Sequence, residues 1–240
     1  MRVGIMQPYL FPYIGYFQLI RAVDQWVVFD HAQYMRHGWV NRNRILHPQA
    51  GPKYIIVPLA KHSFSTAINR LKIKTEQPWA ERIIGQLQNA YQKRAPNYQP
   101  VMELVSDCLS NAGDDLCALL TRGLQAVCDR LQIDFDPIMA SELGIDPESV
   151  AHPGQWALRI SENLGARTYI NPVGGRELFK ADEFEASGVK LKFLETHPIS
   201  YQQADDRFHE NLSIIDVMMW NSGSNIEKLL GEFELKAAIQ

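Results

Sequence analysis

The chain opens with "RVGIMQ", "YIGYFQLIRAVD" and "QWVVFD". The first and third segments are apolar and strand-like. The second places Ile14, Phe17, Ile20 and Ala22 at three-to-four spacing, the mark of one buried helix face. A β-α-β opening favours a right-handed crossover and a parallel strand pair, which limits the fold to the α/β class more sharply than any later segment does.

Later segments extend this pattern. "KYIIVPLA" and "INRLKIK" read as strands joined by "KHSFST", and "FDPIMASEL" as a returning strand. Between them, "PWAERIIGQLQNAYQKR", "LVSDCLSNAG" and "DDLCALLTRGLQAVCDRL" repeat apolar residues at helical spacing, a helical insertion at about 78–130. "HPGQWALRISENLGA" is predicted to be a helix capped at Gly165, "RTYIN" a strand, "ADEFEAS" a short helix and "VKLKFLE" a strand alternating with lysines. The last stretch, "NLSIIDVMMWNSGSNIEKLLGEFELKAAI", reads as two helices broken at "NSGSN". The expectation is a single α/β domain over residues 1–240: a Rossmann-like, mainly parallel sheet with a helical insertion and C-terminal helices.

Composition narrows the partners. At 240 residues with 46% hydrophobic and 21% charged positions, the chain can bury both faces of a sheet, and a net charge of -3 gives no support for a polyanion surface. Nucleic acid is therefore not expected. Cys108, Cys117 and Cys128 are odd in number and form no CxxC pair, so they read as core residues in a reducing cytoplasm. No segment has the roughly twenty consecutive apolar residues of a membrane helix, and Pro8 and Pro12 interrupt anything resembling a signal peptide. Acidic residues are scattered, so no metal site is assigned, and the sequence names neither a cofactor nor an oligomeric state.

Four stretches carry candidate site residues. The loop after the first strand borders the crevice where open parallel sheets bind ligands. It holds Gln7, Tyr9, Tyr13 and Tyr16, braced by Pro8 and Pro12, with Gly15 permitting close approach. These rings suit the wall of a pocket for a flat or sugar-like ligand, or a Pro-braced packing corner. "GWVNRNRI" sets Asn41, Arg42, Asn43 and Arg44 in a row; if extended, it puts the two guanidiniums on one face and the two amides on the other. In "NPVGG", Asn171, Gly174 and Gly175 suit a tight turn whose N–H groups can form an anion nest. In "HENLSIID", Ser213 and Asp216 have capping-box spacing, preceded by His209 and Asn211. His209, Asp30 and His31 are the candidate proton-transfer groups.

The opening loop resembles the HIGH-type loop of nucleotidylyltransferases, with Tyr13 and Tyr16 at the His-x-x-His spacing; tyrosine binds phosphate oxygens but carries no imidazolium charge. A broader resemblance rests on "MQPYLFPYIGYFQLI", "FDHAQYMRHGWVNRNRI", "YINPVGGRELF" and "FHENLSIIDVMMWNSG". In this order they resemble the signature segments of the WbqC-like protein family, across nearly the whole chain. That resemblance implies a place in bacterial surface-polysaccharide (O-antigen) biosynthesis and an amino-acid, specifically glycine, transferase role; it supplies no catalytic residues. The leading expectation is an acyl or aminoacyl transferase acting on a small anionic or sugar-nucleotide substrate. A non-catalytic nucleotide-sugar or partner-binding protein and a nucleotidylyltransferase-like enzyme are the competing readings.

Overall fold

The computed structural model describes residues 1–238 apart from 48, 50, 111, 205 and 206. The strands are β1 (Arg2–Met6), β2 (Gln25–Val28), β3 (Arg42–His47), β4 (Gly51–Ile56), β5 (Pro137–Met139), β6 (Thr168–Pro172), β7 (Lys190–Thr196) and β8 (Phe233–Ala237). Six of them form a mixed sheet in the order β5-β2-β1-β6-β7-β8, while β3 and β4 form a separate antiparallel pair. Every neighbour pair of the large sheet is parallel except β7 with β8. From β1 the chain moves outward to β2 and β5, then returns to β6 on the other side. The strand order thus reverses between β1 and β6, and the crevice beyond their carboxyl ends is the favoured ligand position in such a sheet.

Side chains alternate across the sheet as a two-residue period demands. Val3, Ile5, Val27, Tyr169, Leu191 and Phe193 face one core, completed by α5 (Gln155–Asn163) and α6 (Ala181–Ala186). Trp26, Val28, Ile170 and Leu194 face the other. That larger core takes in α1 (Ile14–Ala22), the run of α2 (Trp79–Tyr91), α3 (Tyr98–Ser110) and α4 (Leu116–Leu131), and finally α7 (Ile214–Trp220) and α8 (Gly223–Gly231). A fully buried Phe17 or Phe184 contributes roughly 1.5–3 kcal/mol relative to exposure.

Two segments differ from the sequence reading. "INRLKIK" is not a strand: Ile68–Arg70 is a 3₁₀ turn, followed by isolated bridges from Ile73 to Leu59 and from Lys72 to Asp115. The tail of the last predicted helix is instead β8, because Phe233 to Ala237 pairs with the edge of β7, and that pairing outweighs the helix preference of Glu, Leu, Lys and Ala. The cysteines are free and buried; burial pushes the Cys108 thiol up to about 11 and Cys117 up to about 12, so neither supplies thiolate at neutral pH. No helix among the described residues is long and apolar enough to cross a membrane.

Candidate functional site

The loop that leaves β1 divides its aromatic residues between two tasks. Leu10, Phe11, Ile14, Tyr16 and Phe17 are buried in the core, whereas Tyr9 and Tyr13 keep part of their surface. Phe11 sits in the left-handed region at φ 41°, unusual for a bulky residue, with its ring against Gly123 of α4. Its carbonyl is fixed from two directions, by Asn43 Nδ2 at 2.7 Å and Ser213 Oγ at 2.7 Å. Gly15 is needed where it is because any Cβ there would collide with the Tyr13 ring.

β3 is extended, and the period-two expectation holds within it. Asn43 turns inward, is buried, and donates also to the Leu10 carbonyl at 3.0 Å. Just ahead of the strand, Asn41 is likewise buried, accepting from Tyr34 Oη and donating to the Val57 carbonyl, both at 2.8 Å. Arg42 and Arg44 point the other way. Arg42 donates to the Gly38 and His37 carbonyls, and its guanidinium lies 4.4 Å from the Tyr54 ring centre. Arg44 donates to the carbonyls of Glu210 at 3.2 Å and Asn211 at 3.4 Å, lies 5.5 Å from the Trp39 ring centre, and has an enclosed Nε with no partner.

These segments enclose a cavity of about 300 Å³ lined by Tyr9, Pro12, Tyr13, Trp39, Asn43, Arg44 and Asn211. Three sequence-distant stretches meet there, tied by Ser213 N–H to the Arg44 carbonyl at 2.9 Å and Ile214 N–H to the Pro12 carbonyl at 2.8 Å. Asn211 is also left-handed, at φ 55°, so two of the four non-glycine residues with positive φ among the described residues belong to this junction. Burial, with Tyr13 alongside, pushes the Tyr9 phenol up to about 12, and burial raises Tyr13 as well. At neutral pH both hydroxyls are neutral and act through hydrogen bonds rather than as bases.

Other candidate residues lie elsewhere. Tyr16 is fully buried and donates to the Gln7 carbonyl at 2.9 Å, leaving it no face for a ligand. Neither Tyr16 nor Gln7 lines the cavity. Asn171 is buried, accepts from Tyr169 Oη at 2.8 Å and donates to the Pro172 carbonyl. The "NPVGG" segment does not form the expected tight turn: Val173–Leu178 is a 3₁₀ helix, and Gly175 packs against the Asn171 side chain while Gly174 faces open space. Ser213 caps α7 by accepting from the Ile215 N–H at 3.2 Å. Asp216 does not complete a capping box; it turns inward to accept from Tyr91 and Tyr201. His209 is tied through its backbone to the Gln203 side chain.

Asp30 lies just past β2 and holds two loops to the carboxyl edge of the sheet. Its carboxylate accepts from Ser141 N–H at 2.9 Å, Ser141 Oγ at 2.5 Å and Asn69 Nδ2 at 3.0 Å. Burial acts to raise its pKa, but these bonds, with His31 beside them, outweigh it and hold the carboxyl well below the usual range. So depressed a group is a weak base and a strong clip. Asp30→Asn is expected to cost about 1–2 kcal/mol at pH 7 in urea unfolding. Because the folded-state pKa is depressed, the advantage over the variant is full above the ordinary value of 3.8 and narrows as pH falls below it. His31 packs edge-on against Phe29 at 4.7 Å and Trp156 at 4.5 Å; its ring nitrogens are enclosed beyond hydrogen-bond reach of any partner, with Nδ1 3.8 Å from Asp30 Oδ1.

Sequence reading singled out neither Trp39 nor Pro12 as site residues. Trp39 carried a signal, since a tryptophan three positions from an arginine pair in a polar loop is a poor core residue. Among the described residues, no three His, Cys, Asp or Glu side chains converge as metal ligands.

The profile of the WbqC-like protein family matches residues 7–228. An uncharacterised protein of Mycobacterium tuberculosis, Rv1507c, is 26% identical over 225 residues, which covers 93% of this chain and 94% of the relative. No solved structure matches.

Proposed function

The chain belongs to the WbqC-like protein family, and from the pocket where its distant segments meet we propose that it transfers a small acyl or aminoacyl group, glycine being the simplest, in cytoplasmic steps of bacterial surface-polysaccharide assembly. The observation that carries the binding half of this reading is the Arg44 Nε, enclosed without a partner at a cavity walled by Tyr9, Tyr13 and Trp39. An enclosed donor left unmet on this half-buried guanidinium costs about 1–3 kcal/mol, and a carboxylate or phosphate oxygen of a substrate removes that cost. The tyrosine hydroxyls and the Asn211 amide then supply hydrogen bonds around the anion, while the rings cover its apolar or sugar part. His209, two residues before Asn211, is the group we assign to accept the proton of the attacking amine or hydroxyl; as the new amide or ester bond forms, the bond from the acyl carbon to its activating group breaks, and that group, a phosphate in an acyl phosphate, leaves with the electron pair.

A specific observation favours the non-catalytic reading: none of the seven lining side chains is a thiol, an imidazole or a carboxylate. The nucleotidylyltransferase-like reading loses its second phosphate-binding position, because the Tyr16 hydroxyl is committed to Gln7. A thermal-shift screen of amino acids, acyl phosphates and nucleotide sugars, with mass spectrometry of the products, separates the cases. Arg44→Gln is expected to weaken the ligand found by at least tenfold, about 1.4 kcal/mol, in a protein that still unfolds cooperatively. Unchanged affinity would remove the anchor of the proposal, and saturable binding with no product would favour the binding protein.

A further inference from the structure

The outer face of the β3–β4 hairpin continues the pocket. In the antiparallel register Arg44 stands opposite Tyr54, and Trp39 lies beside that pair, its ring centre 6.3 Å from that of Tyr54 at a 33° tilt. Arg42 lies over the Tyr54 ring at 4.4 Å and Arg44 over the Trp39 ring at 5.5 Å. The result is a shelf of two neighbouring rings bounded by two guanidiniums. The rings are open to solvent, Trp39 by 38% and Tyr54 by 39%. Trp39 and Arg44 line the cavity as well, so shelf and cavity form one continuous surface.

The charge on this shelf has no internal answer. Among the described residues neither Arg42 nor Arg44 pairs with a carboxylate, and nearby Arg36 adds a third uncompensated guanidinium whose field reaches Tyr34. A neutral sugar would leave that charge unmet. The cavity, at about 300 Å³, stands at the low end of the roughly 300–1,000 Å³ that enclose a whole drug-sized ligand, so it takes only one end of a long substrate. What fits the rest is a molecule with a flat ring to stack on and more than one negative charge between that ring and the enclosed end.

We propose that the Trp39–Tyr54 shelf, with Arg42 and Arg44, binds the nucleoside diphosphate portion of an activated substrate. Its base stacks on the exposed rings, its phosphates face the guanidiniums, and its remaining end enters the cavity. This rests on the reading of the cavity as a substrate pocket and specifies the substrate's chemistry. Protein docking is the less suitable occupant, because a standard interface buries about 800 Å² on each side, whereas the exposed apolar side chains here are Trp39, Tyr54 and neighbouring Ile56.

Isothermal titration of UDP, ADP and GDP, against uridine and pyrophosphate alone, provides the test. Nucleoside diphosphates are expected to bind at least tenfold tighter than either fragment. Base–aromatic stacking is worth about 1–3 kcal/mol, so Tyr54→Ala should weaken them by at least fivefold and leave pyrophosphate within twofold, while Tyr54→Phe, which keeps the ring, should bind as the parent does. Equal affinity for pyrophosphate and UDP, binding of none of the three diphosphates, or no effect of Tyr54→Ala in a folded variant would each overturn the proposal. The two readings fail separately: an Arg44→Gln loss for a pocket ligand, with Tyr54→Ala silent toward UDP, keeps the pocket and removes the shelf. A Tyr54→Ala loss for UDP with Arg44→Gln silent toward the pocket ligand does the reverse.

Discussion

Asn43→Ala is expected to lower global stability by about 3 kcal/mol and to abolish ligand binding at the pocket. The Asn43 side chain is buried with every polar atom in use: Nδ2 donates to Leu10 and Phe11 carbonyls at 3.0 and 2.7 Å, and Oδ1 accepts from Arg44 N–H at 2.8 Å. Alanine leaves those backbone groups enclosed and short of partners, at about 1–3 kcal/mol for each one stranded. The loss does not stay local. Phe11 occupies a left-handed conformation at φ 41° that a bulky residue avoids, at a cost of about 1–3 kcal/mol, and these hydrogen bonds hold it there. Once they are gone the loop carrying Tyr9, Pro12 and Tyr13 has a cheaper conformation to adopt, and the cavity loses one wall. Asn43→Asp is the sharper comparison, because it keeps the shape and sets a carboxylate oxygen against two carbonyl oxygens. Urea unfolding should place both variants well below the parent at an unchanged slope, with the aspartate at least as low as the alanine. A loss under 1 kcal/mol for both would mean that the loop is held by its core residues alone.

The same residue shows how far the sequence could be read. That asparagines and arginines of "NRNR" take opposite faces follows from the two-residue period, and β3 obeys it. The carbonyls that accept from Asn43 lie 32 and 33 positions earlier, and no local rule points to them. The β-α-β opening and the helices between β4 and β5 were legible because their apolar spacing persists over many residues. β8 was not: five residues of mixed character directly behind a leucine-rich helix acquire strand character only when the edge of β7 pairs with them. Asp216 was misread for a related reason. Its spacing from Ser213 is that of a capping box, but the Ser213 N–H that such a carboxylate would accept from is donated to the Arg44 carbonyl, and Asp216 accepts from Tyr91 and Tyr201 instead. Trp39 and Tyr54 belong to one shelf only because the β3–β4 register brings them together.

Asp216 makes the stability of the protein depend on pH in the direction opposite to an ordinary carboxylate. Burial drives its pKa up; hydrogen bonds from Tyr91 at 2.7 Å and Tyr201 at 2.8 Å, and the charge of His209, pull it partly back, leaving it at about 6 against an ordinary 3.8. The folded state therefore holds this proton more tightly than the unfolded chain does. Its stabilising contribution is complete below pH 3.8 and is lost as pH rises toward 6, beyond which no more is lost. A gap of two units corresponds to about 3 kcal/mol. Asp216→Asn cannot titrate, so the stability of the parent relative to this variant should fall by about 2 kcal/mol between pH 4 and pH 6.5 and then level off, a difference that cancels the other carboxylates, including Asp30. Tyr91, which donates to Asp216, accepts from the Leu46 N–H of β3 at 3.3 Å, so the carboxylate links the strand carrying Arg44 to the helix that follows Asn211. If the parent and Asp216→Asn curves run parallel across that interval, Asp216 is ionised at ordinary acidity and the two tyrosines, rather than a retained proton, compensate its burial.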